Sequence, residues 1–201
     1  MTSFDQTTLD FYDRRAREYV ARGTGGASRW LAGFMRALPP GARVLELGCG
    51  GGRDAEALIA NGFDVDPTDG SAAMAAIAAE RLGRPVRVMR FDALSEIAEY
   101  DGIWANASLL HVPRDALGDV LARVFGALKP DGLHFASYKA DGIAGRDSLG
   151  RYYNHPDRQA LIELYHRAAP WDLVSLQEGE GAGYDDVSHP WLAITVRRAL
   201  G

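Results

Sequence analysis

Cysteine is almost absent from this chain of 201 residues: Cys49 is the only one. An intrachain disulfide is therefore impossible, which fits a reducing compartment. No apolar run approaches the ~20 residues that a helix needs to cross a bilayer. No block of Lys or Arg stands out and the net charge is -5, so electrostatics leave no footprint for nucleic acid. Met1-Thr2-Ser3-Phe4-Asp5 is polar and acidic, unlike a secretory leader. His134, His166 and His189 have no companions at metal-ligand spacing, so no metal is expected. There is no internal repeat and no low-complexity tract, although Gly23 to Gly26 reads as a flexible join. These absences lead to the expectation of a cytoplasmic monomer or homodimer without membrane or nucleic-acid partners. What is present, 47% hydrophobic and 24% charged residues, suits one globular domain with a sizeable core.

The chain alternates helical and strand patterns. Phe4 to Ala21 carries Leu9, Tyr12, Ala16, Tyr19 and Val20 at helical spacing, and a second helix from about Ser28 to Ala37 stops at Leu38-Pro39-Pro40-Gly41. Strands are expected at Arg43 to Leu47, at Phe63 to Asp66 before Pro67, at Pro85 to Arg90, at Asp101 to Ala105 and at Leu133 to Tyr138. Helices are expected at Arg53 to Ala60, from an Ser71 N-cap to Leu82, and at Asp115 to Leu128, the last closed by the turn Lys129-Pro130-Asp131-Gly132. Lys139 to Pro156 has no clear period and is read as a lid or a disordered stretch. A helix at Asp157 to Ala169 follows, then strands at Leu173 to Leu176 and Trp191 to Arg197, joined by a glycine-rich acidic connection from Glu178 to Asp186. Strands alternating with helices predict an α/β fold with a mostly parallel sheet and helices on both faces. The last two strands have no helix between them, which predicts an antiparallel strand at the end.

The stretch Val44-Leu45-Glu46-Leu47-Gly48-Cys49-Gly50-Gly51-Gly52-Arg53-Asp54 organises the rest. A buried strand runs into a glycine bend, and the bend into a helix whose first amides face a ligand. A dinucleotide fingerprint would place its third glycine at position 53, which holds Arg53. No Gly-Lys-Ser/Thr follows the glycines either, so a P-loop is excluded. The pattern is G-x-G-x-G, and the stretch resembles motif I of class I S-adenosylmethionine (SAM) dependent methyltransferases. Gly62 to Met74 is similar to that family's second-strand segment, Phe91-Asp92-Ala93 to its third motif, and Leu128 to Gly132 to the turn before its fifth strand. The resemblance covers about residues 10 to 198.

It implies a Rossmann-like sheet of seven strands, mostly parallel with one antiparallel, and SAM as cofactor without a metal. It implies one domain over 1–201, divided into an N-terminal helical lid (1–40), a SAM-binding core (41–138) and a lid loop, helix and antiparallel strands (139–201). It implies that Gly48, Gly50 and Gly52, with Cys49 between them, bring backbone close to the methionine and ribose parts. Glu46 would orient the loop and the methionine amino group, and Asp69 would accept from the ribose hydroxyls. Gly70, Ser71 and Met74 would border the adenine, Asp92 and the Ala93 amide would meet its edge, and Asn106 follows strand four at the site. Pro67 and Gly70 depart from the family, which more often has glycine and a larger residue there.

Methyl transfer needs alignment first, and a base only where the acceptor must lose a proton. No Asp/Asn-Pro-Pro-Tyr motif follows strand four, so a small-molecule acceptor is the expectation. Asp101 to Pro113, Phe11-Tyr12-Asp13, and Tyr138-Lys139 leading to Arg146, Arg151 and Tyr152 are similar to small bacterial methyltransferases grouped with tellurite-resistance proteins. A tellurite- or selenite-like oxyanion, a thiol or a metabolite are the acceptors this suggests. His111, just beyond a strand end, is the candidate base or positioning group, or else a loop histidine bonded to backbone. Tyr12 and Tyr19 are candidate lid residues, or core of an amphipathic helix. Arg146, Arg151 and Tyr152 are candidates to clamp an anionic acceptor, or solvated loop side chains. The alternative function is a SAM-binding protein that keeps the fold without turnover.

Overall fold

The computed structural model describes residues 3–23, 25–140, 142–184 and 187–200. Parts of the expected joins fall on Thr24, Asp141, Asp185 and Asp186, which lie outside the described residues. Helix α1 (Gln6–Arg22) opens on an Asp5 cap and kinks at Arg15; α2 (Leu31–Arg36) follows. Then come β1 (Arg43–Leu47), α3 (Arg53–Ala60), β2 (Asp64–Asp69), α4 (Ala72–Leu82) and the short β3 (Arg87–Val88). After β4 (Tyr100–Ala105), α5 (Arg114–Ala127) leads to β5 (Leu128–Lys139). A small antiparallel ribbon, β6 (Gly145–Arg146) with β7 (Tyr152–Tyr153), precedes α6 (Arg158–Ala168), β8 (Trp171–Ala182) and β9 (Ser188–Arg198).

The seven-stranded sheet has the order β3-β2-β1-β4-β5-β9-β8. All neighbours are parallel except β9, which runs antiparallel to both β5 and β8. Period-2 alternation along β1 splits the core between two faces. Val44 packs with Leu31 and Phe34 of α2, Leu58 of α3, and Trp104, which stacks on Phe135 at 4.1 Å between centroids. Leu45 and Leu47 face the other way, with Val120, Leu121 and Val124 of α5 and Leu161 of α6. On that second face His134 is buried, bonded through Nδ1 to the Ile103 carbonyl and through Nε2 to the Tyr165 hydroxyl, each at 3.1 Å. Among the described residues no helix is long and apolar enough to cross a membrane.

Four expected boundaries are corrected. β2 continues through Pro67 to Asp69, with Pro67 paired opposite Glu46 of β1. Its other neighbour, β3, pairs only at Thr68 and Asp69, so no bond to β3 is lost at the proline. β3 itself is two residues long rather than six, because its partner β2 ends at Asp69, whose carbonyl takes the last ladder bond from the Met89 amide. The Lys129–Gly132 turn lies inside β5 as a bulge: β4 advances from Tyr100 to Gly102 while β5 advances from Leu128 to Leu133. The Glu178–Asp186 connection is strand as far as Ala182. Its glycines carry packing there, since a Cβ on Gly179 would meet Arg29 at 2.7 Å and one on Gly181 would meet Trp191 at 3.2 Å.

Ser71 is buried and caps α4, its Oγ accepting from the Met74 amide at 3.2 Å and donating to Asp13 of α1 at 2.5 Å. Ser71→Ala removes both bonds and should lower stability by about 1–2 kcal/mol, read from the urea midpoint at unchanged slope.

Candidate active site

Strand order reverses between β1 and β4, and the carboxyl ends of β1, β2 and β4 open onto one crevice. The bend after β1 is held there by β2: the Gly48 and Cys49 amides both donate to the Thr68 carbonyl, at 2.9 and 2.8 Å. Gly48 has φ +77°, and a Cβ on it would lie 2.5 Å from Cβ of Ser108. Only glycine lets the loop after β4 close against the bend at that point. Ser108 then donates to the Leu47 carbonyl at 2.6 Å. Gly51 has α1 above it, with Val20 at 2.9 Å from where a Cβ would be.

Asp69, at the tip of β2, accepts from the Gly50 amide at 2.9 Å and from the Ser71 amide at 2.8 Å. Burial pushes its carboxyl up to about 6; the two amides pull it back and Asp13 adds to the rise. Glu46 is 3% exposed, and its Oε2 has no hydrogen-bond partner. Burial, then Asp54 and Asp69, hold the Glu46 carboxyl well above the usual carboxylate range, against the Ala55 amide. Asp54, in the first turn of α3, accepts from the Ser28 amide at 2.7 Å, from Trp104 Nε1 at 2.9 Å and from Asn106 Nδ2 at 3.3 Å. Asp54 was not among the sequence candidates; its place two residues after the last motif glycine was the available signal.

These groups surround a cavity of about 340 Å³. Of the sequence candidates, Glu46, Gly48, Cys49, Gly50, Asp69 and Gly70 line it, as do Met74 and Asn106. Tyr12, Tyr19 and His111 close it from the other side. Four of the cofactor candidates do not line it. Gly52 begins α3 and backs onto Ala78 of α4, and Ser71 spends its hydroxyl on the cap and on Asp13. Asp92 pairs with Arg90 at 3.2 Å, and Ala93 lies beyond it in the same single helical turn. Phe91, with Leu9 of α1, lines the cavity where Asp92 and Ala93 were expected to. The aromatic residue of that motif was in view, but its direction was not. Burial raises the Cys49 thiol, as do Glu46 and Asp69, so it stays protonated.

A second cavity, of about 470 Å³, adjoins the first and shares Tyr12, Tyr19, Arg53, Asn106 and His111 with it. Arg151 lines it, with its guanidinium 2.7 Å from Asp147 and within 5.0–5.4 Å of the Phe11, Tyr184 and Tyr153 rings. Arg146 does not line it: it pairs with Asp5 at 2.6 Å on the surface and clamps the start of α1. The Tyr152 side chain is not there either, because strand alternation hands that position to Tyr153.

The backbone of Tyr152 serves the site instead. Its carbonyl accepts from His111 Nδ1 at 2.6 Å, which leaves Nε2 to accept from the Tyr12 hydroxyl at 2.9 Å. Burial is the main cause that lowers His111 to about 4, so the ring is neutral. Among the described residues no three His, Cys, Asp or Glu side chains cluster to hold a metal.

The fold and this crevice define the class: the Rossmann-like methyltransferase fold, with residues 44–132 matching the family described as "Methyltransferase domain". The trans-aconitate 2-methyltransferase of Variovorax paradoxus (strain S110) is 40% identical over 135 residues, which cover 62% of this chain and 48% of that protein. The chain thus spans about half the length of the curated relative it matches. The Burkholderia thailandensis 1,6-didemethyltoxoflavin-N1-methyltransferase, solved with its substrate and S-adenosylhomocysteine, is 26% identical at a TM-score of 0.77, covering 96% of this chain and 88% of that one. The [4+2]-cyclase SpnF covers both chains in full at a TM-score of 0.78 and 15% identity, a likeness of fold alone.

His111 favours its neutral form when folded, so its contribution to stability is whole above pH 6.5 and is lost as pH falls towards 4. Ring nitrogen NMR should find it neutral at pH 6, with the proton on Nδ1; a ring that protonates above pH 6 would refute this arrangement.

Proposed function

We propose that this chain is a SAM-dependent methyltransferase acting on a small-molecule acceptor. The observation that carries this is Glu46: a buried carboxyl with one unpartnered oxygen, beside Asp69 on one cavity at the strand switch point. When bound, SAM supplies a methyl group already activated by its sulfonium. The protein's share is then to bind, orient and exclude water.

The residues fit that group. Asp69 would hold the ribose hydroxyls while keeping the bend fixed through the Gly50 amide. Glu46 and Asp54 would face the cationic end, and a cation there brings the Glu46 carboxyl down into its ionised form. Met74, Phe91 and Leu9 offer apolar walls for the adenine. Tyr12 and Tyr19, edge to face at 5.1 Å, roof the junction of the two cavities. That supports the division into an N-terminal lid (1–40), a core (41–138) and a closing C-terminal part (139–201). His111 holds the Tyr12 hydroxyl at the junction, and reaches an acceptor proton only through it. An acceptor that arrives as an anion needs no base.

The second cavity is the acceptor's place. The likeness to tellurite-resistance proteins supports an oxyanion such as tellurite or selenite, and a thiol or metabolite fits the same chemistry. At about 470 Å³ it has the size of an organic-ligand site, which favours a metabolite. The likeness to trans-aconitate 2-methyltransferase supports the same choice. The second reading is a SAM-binding protein without methyl transfer, which the first cavity by itself would fit. A second cavity joined to the first speaks for an acceptor.

Calorimetry with S-adenosylhomocysteine tests cofactor binding, and release of that product across an acceptor panel tests turnover. Asp69→Ala should weaken affinity by at least about 30-fold, the loss of two hydrogen bonds to a charged group. Binding needs the Asp69 carboxylate, so wild-type affinity should be flat above pH 7 and fall about tenfold per unit below pH 6. No affinity for either SAM or its product would overturn the proposal.

A further inference from the structure

Arg53 follows the last glycine of the bend and opens α3, and its side chain lines both cavities. The guanidinium reaches across to the join between α1 and α2, where Nη1 donates to the Gly25 carbonyl at 2.7 Å. Gly23 makes room for it: a Cβ there would lie 1.7 Å from Arg53 Nη2 and 2.8 Å from Cζ. Gly23 has φ −70° and ψ 97°, a conformation that side chains tolerate, so the guanidinium and not the backbone accounts for the glycine. The next residue, Asp54, accepts from the Ser28 amide at 2.7 Å, so the first two residues of α3 fasten the same join.

Glu46 and Asp54 share the wall of the first cavity with Arg53, and Asp54 is close enough to Glu46 to help hold its carboxyl in the protonated form. Carboxyls gathered at one end of a cavity suit an ammonium, and the amino-acid end of SAM carries one. The same carbon atom carries a carboxylate, which therefore arrives beside those acids. Like charges so close are costly unless a cation stands with them. Arg53 and Arg90 are the cations on this wall among the described residues. Arg90 is committed elsewhere: it pairs with Asp92 at 3.2 Å, and its guanidinium lies 4.3 Å from the centre of the Phe4 ring. Its stem runs past Gly70, which neighbours Asp69 rather than Glu46. Arg53 is bonded to a neutral acceptor, the Gly25 carbonyl, which leaves further N–H groups of its fork for an anion.

We propose that Arg53 is a cofactor-binding residue whose guanidinium takes the carboxylate at the amino-acid end of SAM, held for that contact by the space at Gly23 and the Gly25 carbonyl. This rests on the methyltransferase reading and adds a binding residue to it. An arginine fork matches a carboxylate in shape as well as charge. Gly23 and Ser28 of the join also line the second cavity, so one side chain ties the cofactor to the wall of the acceptor's place.

Calorimetry with two ligands tests it: S-adenosylhomocysteine, and its decarboxylated analogue, in which hydrogen replaces the carboxylate. The wild-type protein should prefer S-adenosylhomocysteine by about tenfold or more. Arg53→Gln should weaken S-adenosylhomocysteine by about tenfold and leave the decarboxylated analogue within about twofold of wild type, so that the preference disappears. Gly23→Ala, outside the first cavity, should displace the guanidinium and cut the same preference by about threefold. Arg53→Gln that weakens both ligands equally makes Arg53 a fastener of the join alone and overturns the proposal. Arg53→Gln that weakens neither ligand, or Gly23→Ala with the wild-type preference, overturns it as well. Each of those results leaves wild-type binding of S-adenosylhomocysteine, and with it the methyltransferase reading, standing. Failure of the wild-type protein to bind either ligand is instead the failure of that reading, and the proposal falls with it.

Discussion

The Asp69 carboxylate joins the parts that make the crevice. One oxygen takes the Gly50 amide of the bend after β1, and the other takes the Ser71 amide at the start of α4. Ser71 in turn reaches Asp13, which brings α1 to the same point. A sheet strand, a glycine bend and two helices therefore meet on one acidic side chain. Its burial disfavours the charge, and two backbone donors offset much of that cost. A carboxylate so held is ready for a polar ligand without having to be ordered first.

Charge is sorted around this point. Carboxyls gather on the cavity beside the bend, where Glu46 keeps one oxygen without a partner. Cations gather on the cavity under α1 and the β8–β9 hairpin. Between the two, the Tyr12 hydroxyl, His111 and the Tyr152 carbonyl form a neutral bridge. A neutral, fully bonded bridge lets opposite charges lie near one another without cancelling in a direct ion pair. It also explains why a histidine at a strand end has a low affinity for protons: burial and nearby cations act together, and Tyr12 occupies its lone pair.

Legibility of the fold followed how local each signal was. The bounds of β1 and α3 and the Ser71 cap of α4 could be read because an apolar run, a glycine cluster and a capping serine act over a few residues. β2 was cut short at Pro67, since a proline's missing donor matters only where a partner strand would have used it, and β3 starts its pairing past that point, at Thr68. The glycines of β8 looked like a loop for the reverse reason: Arg29, distant in sequence, and Trp191, on the paired strand β9, fill the space above Gly179 and Gly181.

The candidate site divides along the same line. The sequence by itself determined the bend, the acidic residue at the tip of β2 and the α/β alternation, because these depend on backbone conformation and periodicity that neighbouring residues dictate. Only the tertiary structure decided that Phe91 rather than Asp92 faces the cavity, that Arg146 is a surface clamp, and that Lys139 joins Arg151 on the wall of one cavity. Those outcomes depend on where side chains from α1, β5, β7 and the β8–β9 hairpin meet in space, and no local pattern encodes such a meeting: Arg146 finds Asp5 141 residues away.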